Sequence, residues 1–124
     1  MIIGTGIDII EIERVERAAS KQGFVNRVLT KIEKEYWESK GCAVQTLAGL
    51  FAAKEAVSKA FGTGIGPIEL KDIEVLHSEE GAPYVLLRGA AAELLEKKAA
   101  ANVFLSISHS RYYAVAQAIL EAKE

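Results

Sequence analysis

Apolar residues run almost unbroken from Ile2 to Ile10, IIGTGIDII, the pattern of a strand buried on both faces, with one carboxylate, Asp8, inside it. The period then changes. Ile12, Val15 and Ala18/Ala19 recur at helical spacing and predict a helix from about Glu11 to Gln22, broken by Gly23, with Glu13 and Arg17 paired one turn apart on its outer face. Phe24 to Leu29 reads as a short amphipathic turn. Thr30 and Glu33 have the spacing of a capping box, which opens a helix to about Lys40, ended by Gly41. The clearest helix is VQTLAGLFAAKEAVSKAF, residues 44–61, stopped by Gly62 and followed by the loop GTGIGP.

Beyond the loop, IELKDIEVLHS (68–78) and APYVLLRG (82–89) read as two hairpin strands turning at residues 79–81. AAAELLEKKAAA (90–101) is a helix by propensity. NVFLSISHS and YYAVAQAIL are strands that meet at residues 109–111. Helices alternate irregularly with adjacent hairpins, so the expected class is α+β with a mostly antiparallel sheet and packed helices. No linker or low-complexity stretch interrupts the 124 residues, which are read as one domain, 1–124.

Charge and composition narrow the possible partners only a little. Half the residues are hydrophobic and the net charge is −2, which points to a globular protein and to neither nucleic acid nor membrane as a partner. Cys42 is the only cysteine, so no internal disulfide can form. With no secretory leader pattern and no run long enough to span a bilayer, the expected location is the cytoplasm.

Asp8 raises the first chemical question. On a strand it shares a face with Gly4, Gly6 and Ile10, and the glycines leave room for something bulky to approach the carboxylate. A carboxylate in apolar surroundings needs a cation, a helix N-terminus to cap, or a proton. Glu55 and Lys59 lie one turn apart on one helix face, a spacing that a simple salt bridge worth about 0.2–0.5 kcal/mol also explains. Lys54 lies about 100° around that helix and reads as a solvated charge. The loop Gly62–Gly66 follows its helix, whereas a phosphate-binding glycine motif precedes one, so its glycines read as a cap that also permits close approach of a ligand. Ser106, Ser108 and Ser110 alternate around His109, but a Ser–His nucleophile lacks a third residue at any motif spacing. With His77 as the only other histidine, a His-rich metal site is excluded. Arg14, Arg17, Lys21 and Arg27 gather around the first helix, as a solvated face or as a surface for an acidic partner.

Taken together, GTGIDIIEIERV, LAGLFAAKEAVSKAFGTGIG and VFLSISHSRYYAVAQAIL resemble the holo-acyl-carrier-protein synthases, the short stand-alone bacterial class of 4′-phosphopantetheinyl transferases, across nearly the whole chain. The resemblance implies transfer of the 4′-phosphopantetheine arm of coenzyme A to a serine of apo-acyl carrier protein, with release of adenosine 3′,5′-bisphosphate. It implies Asp8 and Glu55 as Mg²⁺ ligands and Lys59 against the pyrophosphate. Gly62 and Gly64 of the loop, with Ser108, His109 and Ser110, would line the coenzyme A site. Arg14, Arg17, Lys21 and Arg27 would face the acidic helix of the carrier protein, and the assembly would be a homotrimer with active sites at subunit interfaces. Two carboxylates about 4 Å apart repel by about 4 kcal/mol at an effective dielectric near 20, so a hard divalent cation suits the pair. The base is expected to be a metal-bound water or hydroxide, with Glu33 or Glu55 as helpers. Two positions depart from the family pattern: Ile10 stands where larger relatives carry a third metal carboxylate, and Leu50 where an arginine often contacts a coenzyme A phosphate.

Overall fold

The apolar run at the start forms β1 (Ile2–Glu11) in a computed structural model that describes all of residues 1–124. It leads directly into α1 (Ile12–Ala19), then α2 (Phe24–Val28), α3 (Lys31–Ser39) and α4 (Val44–Ala60). A 3₁₀ turn (Leu70–Asp72) precedes the hairpin β2 (Ile73–His77) and β3 (Pro83–Leu87); α5 (Gly89–Lys97), β4 (Ala100–His109) and β5 (Tyr113–Ala122) follow. The expected α+β class holds. β5 is the central strand of an antiparallel sheet in the order β1–β5–β4, and β2 and β3 form a separate antiparallel pair. Asp8 lies opposite Ala116, which lies opposite Ile107, so one row crosses all three strands.

Local signals account for most element ends. Thr30 and Glu33 form the capping box of α3, and Arg17 pairs with Glu13 at 3.0 Å. Gly62 stops α4 with φ +83°. Three expected boundaries move. The helix from residue 11 ends at Ala19 instead of near Gln22. The strand expected over 68–78 begins only at Ile73, because Asp72 accepts the Glu69 amide at 3.1 Å and closes a turn there. The alanine-rich helix stops at Lys97, and Ala99, at φ +53°, turns the chain so that Ala100 starts β4.

α4 lies across the inner face of the sheet, burying Ala52, Ala53, Ala56, Val57 and Ala60. The room left by Gly4 and Gly6 is filled by this helix and is not open to a ligand. A Cβ at Gly6 would sit 1.9 Å from the Ala56 carbonyl oxygen, and one at Gly4 would sit 2.1 Å from that of Ala60. β1 also departs from burial on both faces, since Ile7 is 62% and Ile9 65% exposed on the outer side. Phe104 on β4 is exposed as well, at 52%.

The other side of α4 is held by Lys54, which is fully buried and is not the solvated charge its position suggested. Its ammonium donates to Glu33 Oε1 at 2.7 Å, to the Ile73 carbonyl at 2.7 Å and to the Leu70 carbonyl at 2.9 Å. Glu33 is equally buried and accepts from the Thr30 amide at 2.8 Å and the Val75 amide at 2.7 Å. Burial pulls the Lys54 ammonium below the ordinary lysine range, and the charge and hydrogen bond of Glu33 oppose that pull. Beside them Glu74 accepts from Thr30 Oγ1 and from Arg88 at 3.0 Å.

Gly6→Ala forces the α4 backbone away from β1, because both nearest atoms belong to main chain. It should lower unfolding free energy by about 2–3 kcal/mol in urea titrations. An unchanged midpoint would show that the contact is slack.

Candidate active site

The register of β1 turns Asp8 inward, and its side chain is only 15% exposed. From the last turn of α4, Lys59 extends to it and donates to Asp8 Oδ1 at 2.9 Å and to the Ile7 carbonyl at 3.2 Å. Spacing alone allowed Lys59 to pair with Glu55 on its own helix. The cation instead bridges to the strand, 51 residues away in sequence. Asp8 and Glu55 line one cavity of about 360 Å³ with Arg14, and its remaining wall is apolar, formed by Ile9, Ile10, Val15, Ala18, Phe24 and Phe51. The Phe24 and Phe51 rings lie 6.1 Å apart, tilted by 36°.

Electrostatics mark the two carboxylates as a pair. Burial first, and then the charge of Asp8, push the Glu55 carboxyl above its ordinary range, with Lys59 pulling the other way. A cation between them would relieve both penalties. No group of three or more His, Cys, Asp or Glu side chains gathers anywhere in the chain, so a metal here would draw on Asp8 and Glu55 alone. Two carboxylates with positions left for phosphate oxygens and water are a donor set that suits Mg²⁺.

The other expected residues are placed elsewhere. His109 lies on the opposite flank of α4, in a cavity of about 210 Å³ shared with Tyr36, Gln45, Leu50, His77 and Pro83. There His77 stacks on Tyr36 at 3.9 Å, and burial followed by the nearby Lys40 charge holds its imidazole below the ordinary range. Leu50 is buried in the wall of that cavity, where it offers no phosphate contact. Ser108 faces the outer side of the sheet, and Ser110 Oγ accepts the Tyr113 amide in the β4–β5 turn, so neither bonds to His109. Gly62 and Gly64 adopt φ of +83° and +68° at the end of α4, away from both cavities. Of the four basic residues, Arg14 alone borders the carboxylates. Arg17 is paired with Glu13, while Lys21 and Arg27 are exposed and make no ion pair. Glu33 is removed as a candidate base, because it is fully buried with both oxygens engaged.

Comparison with known proteins bears directly on this arrangement. Residues 4–118 match the family model of the 4′-phosphopantetheinyl transferase superfamily. The chain belongs to that superfamily. A holo-[acyl-carrier-protein] synthase of Fusobacterium nucleatum is 49% identical over 121 residues, covering 97% of this chain and 99% of the relative. The crystal structure of the holo-[acyl-carrier-protein] synthase of Neisseria meningitidis superposes with a TM-score of 0.90 at 35% identity, covering 98% of this chain and 99% of that one. That of the Bacillus anthracis synthase, in complex with coenzyme A (3′,5′-ADP), gives a TM-score of 0.82 at 41% identity, with 99% of each chain covered. The protein is thus an enzyme of the phosphopantetheinyl transferase class.

The apolar wall was not singled out from sequence. Phe24 and Phe51 are 27 positions apart and read as ordinary core residues; only the fold brings their rings beside the carboxylates.

Asp8→Asn removes a negative neighbour and frees Lys59, so the Glu55 carboxyl should titrate lower, which ¹³C NMR reads directly. Because Glu55 holds its proton to higher pH than a free carboxylate, Mg²⁺ affinity should rise as pH rises through that titration, with proton release detectable by calorimetry in buffers of different ionisation enthalpy. Equal affinity on both sides of the Glu55 titration would remove it from the metal site.

Proposed function

We propose that the protein transfers the 4′-phosphopantetheine arm of coenzyme A to a serine hydroxyl of apo-acyl carrier protein, with Mg²⁺, releasing adenosine 3′,5′-bisphosphate in support of fatty acid biosynthesis in the cytoplasm. The observation that carries the reading is the meeting of Asp8 and Glu55 at one cavity, with Lys59 bonded to Asp8, in a chain of this superfamily. Asp8 and Glu55 would hold the metal ion, which when bound neutralises charge on the pyrophosphate. Lys59, half exposed at 50%, has the reach and freedom to move from Asp8 onto a phosphate oxygen. The serine oxygen bonds to the phosphorus that carries the pantetheine arm and gives up its proton to Glu55 or to a water molecule. The bond from that phosphorus to the bridging oxygen breaks, and the nucleotide leaves with the electron pair. Such a step depends on alignment and charge neutralisation more than on covalent help from the protein. The apolar wall of Phe24, Phe51 and Ile9 keeps bulk water from the reacting phosphorus, and Arg14 at its rim offers a cation to an acidic helix of the carrier.

The same reading includes a homotrimer. Its support is twofold. Ile7, Ile9 and Phe104 expose an apolar sheet face that a second copy of the chain would cover. His109 and Ser108 also lie away from the carboxylates of their own chain, so they would serve the coenzyme A site of a neighbouring copy, together with the Gly62–Gly64 loop.

Incubation with apo-acyl carrier protein, coenzyme A and Mg²⁺ should add one phosphopantetheine to the carrier, read by intact mass. Chelation or Asp8→Asn should abolish the gain, and a folded enzyme that leaves a suitable carrier unmodified would overturn the reading. Phe104→Glu, on the same exposed face and outside both cavities, should reduce the mass seen by light scattering to that of one chain and lower activity with it. A monomer of full activity would refute the shared site.

A further inference from the structure

α4 carries Glu55 and Lys59, and its contact with β1 is smooth. Gly4 and Gly6 of β1 meet the backbone of Ala56 and Ala60, with no side chain from either element inserted between them. Such a contact sets a distance well. It supplies no interlocking side chains to stop the helix from turning about its axis or sliding along it. Toward β4 the Ile107 side chain packs against Gly49, an apolar contact without direction, and on the face away from the sheet Lys54 supplies directional bonds.

All three ammonium protons of Lys54 are used, on Glu33 Oε1, the Leu70 carbonyl and the Ile73 carbonyl, at 2.7 to 2.9 Å. These acceptors come from three separate places: the first turn of α3, the 3₁₀ turn and the start of β2. Glu33 is itself fixed from two further directions by the Thr30 and Val75 amides. Both side chains are fully buried, so no water can take up slack. Lys54 and Glu55 are consecutive, which places them about 100° apart around the helix. Any turn of α4 that releases Lys54 therefore swings Glu55 and Lys59 relative to Asp8.

We propose that Lys54 and Glu33 are positioning residues: their buried ion pair fixes the rotation of α4 and with it the approach of Glu55 and Lys59 to Asp8. This rests on the reading of Asp8 and Glu55 as the metal carboxylates. It also assigns a role to a carboxylate and a lysine that touch neither metal nor substrate. An apolar side chain of similar length could fill the same hole, but it would carry no directional bonds to hold the angle.

The test uses the full chain with Lys54→Met, and with Glu33→Gln, which keeps the shape of Glu33 and one oxygen, enough for one of the two backbone amides. Both are assayed well below their unfolding temperatures. Mg²⁺ affinity by calorimetry should weaken by about 10- to 100-fold, as it does when groups behind metal ligands are removed. kcat should fall by about a hundredfold, the effect of a misplacement near 1 Å, while KM for the carrier protein stays the same. Crystal structures of the variants should show the contact between Lys59 Nζ and Asp8 Oδ1 broken. If Lys54→Met does not fold, Glu33→Gln carries the same readouts. A variant with lowered melting temperature but wild-type Mg²⁺ affinity, kcat and Lys59–Asp8 contact would overturn the proposal, leaving the pair a role in stability alone. Failure of the metal reading looks different: the unaltered protein would then bind Mg²⁺ no better than Asp8→Asn. The Lys59–Asp8 contact in the variant structures would still decide the positioning role.

Discussion

A close approach of backbone to backbone, where α4 crosses β1, sets the dimensions of the site. Asp8 belongs to the strand; Glu55 and Lys59 belong to the helix. Whatever separates those two elements separates the charges. Two glycines bring them as near as main chains can come, so a cation on the helix reaches a carboxylate on the strand at 2.9 Å. Larger residues at either position would widen that gap before altering any side chain of the site. Backbone proximity is therefore part of the electrostatics, because the mutual influence of Asp8 and Glu55 falls as the two elements part.

α4 accordingly has two different sides. One is smooth and close, against the sheet. The other is anchored by a dry set of charged hydrogen bonds through Lys54, Glu33 and their backbone partners. A buried ion pair is a weak source of stability, since removing the charges from water offsets much of their attraction. Its value lies in direction: apolar packing tolerates small rotations, whereas three acceptors around one ammonium do not. The apolar wall by Phe24 and Phe51 lies on the flank that carries Glu55, and the His77–Tyr36 stack lies on the opposite flank, so one helix separates two cavities of different character.

Signals confined to a few residues were legible in the sequence. The capping box at Thr30, the pair Glu13–Arg17, the stop at Gly62 and the antiparallel hairpins follow from local spacing, and the motif resemblance named the superfamily. Facts that depend on a distant partner were not legible. Lys54 and Glu55 look alike in a helical pattern; only Glu33, 21 residues earlier in the chain, makes one of them buried. Gly4 and Gly6 announced a close approach without saying of what, and the answer was a helix 50 residues further on. An unbroken apolar strand reads the same whether its outer face is covered by its own domain or left open, as at Ile7 and Ile9. His109 was assigned by resemblance to a coenzyme A site at a subunit interface; within one chain the strand order places it across α4 from the carboxylates.

Lys59 also touches the strand in a second way. Ile12 donates its amide to the Tyr112 carbonyl, so every second residue back along β1, including Asp8 and Gly6, directs its main-chain groups toward β5, and Ile7 directs its own away from the sheet. β1 is an outer strand, and its free side carries unpaired carbonyls next to exposed isoleucines, a template to which stray chains can add. The bond from Lys59 to the Ile7 carbonyl blocks one of those positions with a hydrated positive charge. The side chain proposed to meet a phosphate therefore also guards the strand against sticking, and a variant that lost it would be exposed to aggregation.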